Sequence, residues 1–166
     1  PAPVASAIAT AFLRALQAVE AAGLRKGYRR VVEAASILKG QLQIDHSLRS
    51  LWSRGITYSA VSAYSTLTSD VPENRLLRCA CHALIRAHRK LGVLAGSAPT
   101  LARFDSLFAG AGVQLERRGS LRGDVNGIAE RQPVYRCALR LAHIILADYG
   151  VDLSRAGDDG SLSSFL

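Results

Sequence analysis

Apolar residues recur at helical spacing in three long stretches. Val4, Ile8, Ala11, Ala15, Leu16 and Val19 mark the first and predict a helix over 4–22, with Gly23 where a C-terminal cap belongs. Leu77, Ala80, Leu84, Ala87 and Leu91 mark the second, over 72–91. Ser69 and Asp70 offer N-cap side chains there, Pro72 and Glu73 suit a first turn, and Gly92 follows the end. Tyr135, Leu139, Ala142, Ile145, Leu146 and Tyr149 predict a third helix over 133–149, stopped by Gly150. A shorter helix is expected over 100–109, after Pro99. Between the first two helices the period changes. Tyr28, Val31 and Val32 suit the start of a strand, and residues 38–44 alternate except at Lys39-Gly40, predicting one or two strands with a bulge or bend at Gly40. A short helix over 47–54 ends at Gly55, and Ile56, Tyr58, Val61 and Tyr64 lean towards strand. Residues 110–132 read as loop with at most a short strand at 113–115, and 154–166 as a Gly/Asp/Ser-rich linker. The fold class is α+β, predominantly helical, with one domain over 1–153.

At 166 residues, 49% of them hydrophobic, the chain is long and apolar enough for one packed core, which excludes wholesale disorder. Arg or Lys interrupts every apolar run before it reaches membrane-spanning length. The opening Pro1-Ala2-Pro3-Val4 has no signal-peptide pattern, and there is no methionine even at position 1, so the chain is expected to be a piece of something longer. Three cysteines, Cys79, Cys81 and Cys137, lack the spacing of a disulfide framework and are expected to be reduced, buried and cytoplasmic.

Charge narrows the partners. The chain carries 18 Arg and 3 Lys against 13 acidic residues, a net +8, and because four Asp and one Arg fall from Asp148 onward the body before them carries about +11. Arginine suits bidentate contact with phosphate or carboxylate, and a GC-rich genome produces the same bias. A basic body favours polyanions or acidic proteins. On the 72–91 helix Arg75, Arg78, His82, Arg86 and Arg89 follow one continuous stripe opposite the apolar side. Arg136, Arg140 and His143 form a smaller edge on the last helix. Either set can dock on a phosphate backbone or an acidic protein, or can be a solvated helix face, the commoner fate of such stripes. Aromatic interleaving that would stack single-stranded bases is absent.

Catalytic patterns are missing. There is no Gly-Lys-Ser/Thr, Gly110-Ala111-Gly112 lacks a third glycine and follows a helix, and no Gly-x-Ser-x-Gly occurs. Cys79 and Cys81 would point roughly 200° apart on a helix, which argues against their sharing a zinc ion with His82 or His88. A metal-dependent nuclease of the Asp…Asp/Glu-x-Lys kind needs an acid two residues before a lysine. Leu24, Ile37 and His88 occupy those places before Lys26, Lys39 and Lys90. No catalytic or metal-binding residue is therefore assigned.

One ordered set of residues has a family likeness. Gly23-Leu24 with Tyr28 and Glu33, then Leu38-Lys39-Gly40-Gln41-Leu42, then Tyr64, Leu67 and Asp70, then Asn74-Arg75-Leu76-Leu77, resembles the McrC family, the nuclease subunit of the McrBC 5-methylcytosine-dependent restriction system. The final helix and polar tail resemble the stretch before that family's nuclease core, so the likeness spans roughly 12–150. One departure is Ser65-Thr66, where the family often carries an acid. The resemblance implies a phage-defence endonuclease subunit whose amino-terminal region engages a hexameric McrB-like AAA+ GTPase, reaching DNA through that complex. It also implies that GTP sits on the partner and that Mg2+ belongs to a carboxy-terminal nuclease domain beyond the linker. Gly40 would then permit a bend and Asp70 cap the helix. Asn74 and Arg75 would be mainly architectural, with partner contact for Arg75 a second role. The expected function is a non-catalytic portion of such a subunit, docking on the AAA+ GTPase partner and positioning the nuclease domain over DNA. The alternative is a free-standing basic nucleic-acid-binding module using Arg75, Arg78, His82, Arg86, Arg89, Arg136 and Arg140.

Overall fold

Two hydrophobic periods in one chain segregate into two units. The helical unit comprises Pro1–Arg25 and Ser69–Leu166, and the sheet unit is Lys26–Thr68, inserted between them. The computed structural model describes residues 2–92, 96–115 and 132–149. The expected linker at 154–166, and the domain boundary before it, lie outside the described residues.

In the helical unit, α1 (Ala2–Ala22), α3 (Pro72–Leu91), α4 (Ala98–Gly110) and α5 (Pro133–Tyr149) share one core. The α3 helix packs on both α4 and α5, and α1 packs mainly on α5. Phe12, Leu16, Leu77, Leu84, Phe104, Phe108, Leu139 and Ile145 supply the bulk, each fully buried. Cover from two neighbours explains why Cys79 and Cys81, on different sides of α3, are both buried. Burial pushes the Cys81 thiol far above its ordinary range, with the Asp105 carboxylate adding to the effect. Cys137, expected inside, is exposed, because it lies on the part of α5 turned from that core.

The first helix starts at Ala2, two residues before the expected start, and buries a different face. Ala9, Phe12, Leu13, Ala15, Leu16 and Val19 face the core, while Val4 and Ala11 are exposed. Alanine surrounds the helix and masks the period, and the one bulky aromatic, Phe12, sets the rotation. The α3 and α5 bounds match expectation, and α4 starts at Ala98, two residues early. The side chains of Leu91 and Tyr149 lie outside the described residues. The N-cap of α3 is Val71, with no side-chain cap, so neither Ser69 nor Asp70 caps the helix as expected. Asp70 instead receives a guanidinium and a backbone N–H from elsewhere in the fold. Residues 113–115 form no strand.

The sheet unit is a long hairpin-like ladder with a short third strand. β1 (Gly27–Ala35) pairs antiparallel with β3 (Ala60–Thr68), from Gly27 opposite Thr68 to Ala35 opposite Ala60. β2 (Gln41–Leu42) lies on the other edge of β3, giving the order β1-β3-β2. Only those two residues of the alternating 38–44 stretch are strand. Ile44 already begins α2 (Ile44–Ser50), three residues before the expected start, and a 3-10 turn over Trp52–Arg54 closes on Gly55. Ile56 and Tyr58 precede β3, which starts at Ala60, because Trp52 Nε1 donates to the Ser59 carbonyl (2.9 Å) and pins the intervening loop. Ser47, fully buried, accepts the Val61 N–H (2.7 Å) and donates to the Gln43 carbonyl (2.8 Å), fastening α2 to the edge of β3.

Gly40 makes the bend its position suggested. It has φ +72, and a Cβ there would meet the Ala63 carbonyl oxygen at 2.6 Å and Tyr64 Cβ at 2.8 Å. Gly55 has φ +81 but open space around it. Gly55→Ala is therefore expected to cost about 1 kcal/mol, from left-handed strain alone. Gly40→Ala should cost at least about twice that, since β2 must leave β3 to make room. Urea unfolding followed by the single tryptophan, Trp52, in the sheet unit checks this, and equal costs at the two sites would refute it.

Candidate functional site

The motif residues at the start of α3 converge on one amide. Asn74 occupies the apolar seam of the helix, in phase with Leu77, Cys81 and Leu84, and is fully buried. A buried amide must find partners for its donors and acceptor. Its Nδ2 donates to the Arg25 carbonyl (2.8 Å) and to the Ser69 carbonyl (2.8 Å), and its Oδ1 accepts the Tyr135 hydroxyl (2.9 Å). Tyr135 in turn accepts the Arg25 N–H (2.8 Å). The chain leaves the helical unit at Arg25 and re-enters it at Ser69, so one side chain holds both stems of the insert. Burial pushes the Tyr135 phenol above its usual range, and the Glu73 carboxylate adds to this, against the Arg25 N–H. Glu73, itself buried, pairs through Oε1 with the Arg25 guanidinium, and its Oε2 has no hydrogen-bond partner among the described residues.

The next turn aims its arginines along the fold. Arg75 makes a bidentate pair with Asp70 (2.8 and 2.6 Å), and Asp70 also accepts the Gln114 N–H (2.8 Å). Arg78 donates to Asp105 on α4 (3.0 Å) and to the Val113 carbonyl. These contacts bind the chain just beyond α4 to the start of α3, where the Val113 side chain is also buried. The two arginines are 28% and 17% exposed, so the first two of the five residues of the predicted cationic stripe are offset inside the fold. Its continuation, His82 and Arg86, is half-buried and Arg89 is exposed. On α5, Arg136, Arg140 and His143 are all exposed.

A second cluster gathers motif residues within the sheet unit. Glu33 on β1 accepts the Tyr64 hydroxyl (3.0 Å), and Lys39 reaches the same carboxylate oxygen (3.4 Å) while lying 5.6 Å from the Tyr64 ring centre. The hydrogen bond to Glu33 holds the Tyr64 proton and raises its pKa. Ser65 and Thr66 lie directly across from Arg30 and Arg29 in the ladder. On the outer side of α2 an open cleft of about 460 Å³ is bordered by Gln41, Asp45, His46 and Arg49.

Chemically, both clusters are anchors. Asp70, Glu73, Asp105 and Glu33 each meet a cation within the fold, an arrangement that fixes chain segments. Arg25 and Asp105 carry no motif of their own, and Glu73 was expected only as a first-turn residue of the helix. The available signal was Asn74, a polar residue at core spacing. Tyr135 was expected only as part of an apolar face.

Tyr135→Phe should cost about 1–3 kcal/mol, since it strands the Asn74 carbonyl oxygen and the Arg25 N–H. Asn74→Asp, which loses both donors and places a charge there, should cost more. The native Tyr135 pKa is raised, so its contribution is fully present below about pH 10 and is lost as pH rises through the native value. The stability gap between wild type and Tyr135→Phe should therefore hold steady up to about pH 10 and narrow above it in urea titrations. A constant gap contradicts the assignment. Arg78→Ala should lose about 2 kcal/mol and Arg89→Ala less than about 0.5.

No curated protein matches the chain. The family model described as McrBC 5-methylcytosine restriction system component matches residues 1–162. That span takes in both anchor clusters, and the chain belongs to the McrBC 5-methylcytosine restriction system component family.

Proposed function

We propose that this chain is the non-catalytic portion of a McrC-like subunit, which docks on an AAA+ GTPase partner in the cytoplasm and positions a nuclease domain over DNA. Membership of the restriction-system family supports a partnered role. The observation that carries the docking is the surface of the sheet unit. Of eleven exposed large hydrophobic residues among those described, eight lie in Lys26–Thr68: Tyr28, Val32, Ile37, Leu38, Ile44, Leu48, Tyr58 and Leu67. The same stretch holds six basic residues against two acidic ones. Tyr28 and Leu67 face each other across β1 and β3, 80% and 53% exposed, with Arg30 next along that face. Mixed aliphatic, aromatic and cationic character suits a protein with an acidic rim, and exposed apolar side chains concentrated in one unit support an interaction role.

The nucleic-acid alternative rests on fewer groups than the sequence suggested. Asp70 and Asp105 offset Arg75 and Arg78, which leaves Arg86, Arg89 and the exposed α5 edge as its support. Replacing Tyr28 and Leu67 with Ser removes exposed apolar surface without touching either anchor cluster. In the intact parent protein this pair should weaken complex formation with the neighbouring GTPase by about tenfold or more and reduce stimulated GTP hydrolysis. DNA affinity should stay unchanged. Wild-type protein that forms no complex and leaves GTP hydrolysis unaltered would refute the proposal. DNA affinity that is lost and flattened in salt dependence on replacing Arg86 and Arg89 would favour the alternative.

A further inference from the structure

The register of the sheet decides which backbone groups of β1 face outward. The Val61 carbonyl accepts the Gln43 N–H (2.8 Å) and the Val61 N–H is donated to Ser47 Oγ (2.7 Å), so its backbone points away from β1. Along an antiparallel ladder that direction alternates from residue to residue. Ala60, Ser62, Tyr64, Thr66 and Thr68 therefore point at β1 and bond Ala35, Glu33, Val31, Arg29 and Gly27. The N–H and C=O groups of Tyr28, Arg30, Val32 and Ala34 are left directed to the open side. All four residues are exposed, and among the described residues no strand lies beside them. Proline, a bulge or a covering element commonly blunts such an edge. Here nine pairs run from Gly27 to Ala35 without interruption, and the strand contains no proline.

We infer that this edge takes up an extended segment of the GTPase partner as a further strand. The inference rests on the docking proposal above and specifies its chemistry. Four N–H and four C=O groups supply the main-chain bonds, and alternate side chains supply the selectivity. Those side chains fall beside Tyr28, Arg30 and Val32. Tyr28 is 80% and Val32 50% exposed, and both are best covered by aliphatic neighbours. Arg30 meets no carboxylate among the described residues, so an acid belongs between them. The segment therefore reads aliphatic-x-acid-x-aliphatic. A second copy of β1 suits the edge less well. Laid antiparallel, it faces Arg30 with Tyr28, Arg30, Val32 or Ala34, none of them an acid. Laid parallel, its one acid is Glu33, which already accepts the Tyr64 hydroxyl and meets Lys39.

Hydrogen exchange resolved to single amides tests this in the intact parent protein, with and without the neighbouring GTPase. In the free protein the Val31 and Glu33 amides should exchange slowly, and those of Tyr28, Arg30, Val32 and Ala34 fast. Complex formation should slow the second set by about tenfold or more. Val32→Pro removes an outward N–H and none that β3 uses, so the protein should stay folded while its affinity for the GTPase falls about tenfold. Val32→Ala keeps that N–H and should lose less. Arg30→Glu should weaken the complex and Arg30→Lys largely preserve it. Were Val32→Pro to unfold, the exchange pattern remains decisive. A complex that forms while the four amides stay fast overturns strand addition and leaves docking through Tyr28 and Leu67 standing. No complex at all overturns both. Amides that slow in the free protein as its concentration rises assign the edge to a second copy and likewise overturn the inference.

Discussion

An amide that reaches two carbonyls 44 residues apart in sequence is the constraint on which the rest of the molecule depends. Asn74 holds Arg25 and Ser69 together, the last and first residues of the helical unit on either side of the insert. Closing a loop of that length costs roughly 3 kcal/mol of chain entropy. The α3 helix and Tyr135 on α5 offset it by presenting donors and an acceptor where both stems must pass. With the stems fixed, Gly27 and Thr68 start the antiparallel ladder in register, and the remaining pairs follow. The amide cannot be replaced by its own acid, because two of its three bonds are donated.

Charge along α3 follows from the same geometry. The polar end of the helix lies against the stems and against the chain beyond α4, so its first two arginines find Asp70 and Asp105 within the fold. Further along, the stripe leaves those partners behind and turns to solvent at Arg89. One continuous sequence pattern therefore divides into an architectural start and an end that reaches the surface. A net charge of +8 says less about partners than this division does, since a net figure does not tell which arginines face solvent.

Legibility in the sequence tracked how local each determinant is. The bounds of α3 and α5 could be read because one uninterrupted period runs between explicit signals, Pro72 and Gly92 for α3 and Pro133 for α5. Gly40 could be read because a broken alternation around a glycine has few other causes. The face of α1 could not, since alanines around the helix carry little information until Phe12 meets its neighbours. The start of β3 was misplaced because Ile56 and Tyr58 look like strand residues, while a tryptophan hydrogen bond seven residues along holds them in a loop. Asp70 looks like a cap in sequence; its real partners, Arg75 and Gln114, become visible only once the chain beyond α4 has folded back. The Asn74 cluster was legible as motif and not as mechanism, for its partners come from 49 and 61 residues away.

The sheet unit, taken alone, has little to hold it. A three-stranded sheet whose third strand has two residues buries few large side chains, and Val61 and Ala63 are its only hydrophobic residues in the buried class. Its order rests on the Ser47 and Trp52 hydrogen bonds, the tight passage at Gly40 and the clasp on its stems, while its bulky residues remain in water. Such an arrangement is costly for a surface with no partner, because each exposed apolar side chain adds nothing to the fold. It suits a surface that a partner covers, since any binding to the ordered sheet stabilises that order by mass action. The clasp then has a second consequence. It holds the stems of the sheet by itself, so that any binding to this surface need not include the entropy of folding Lys26–Thr68.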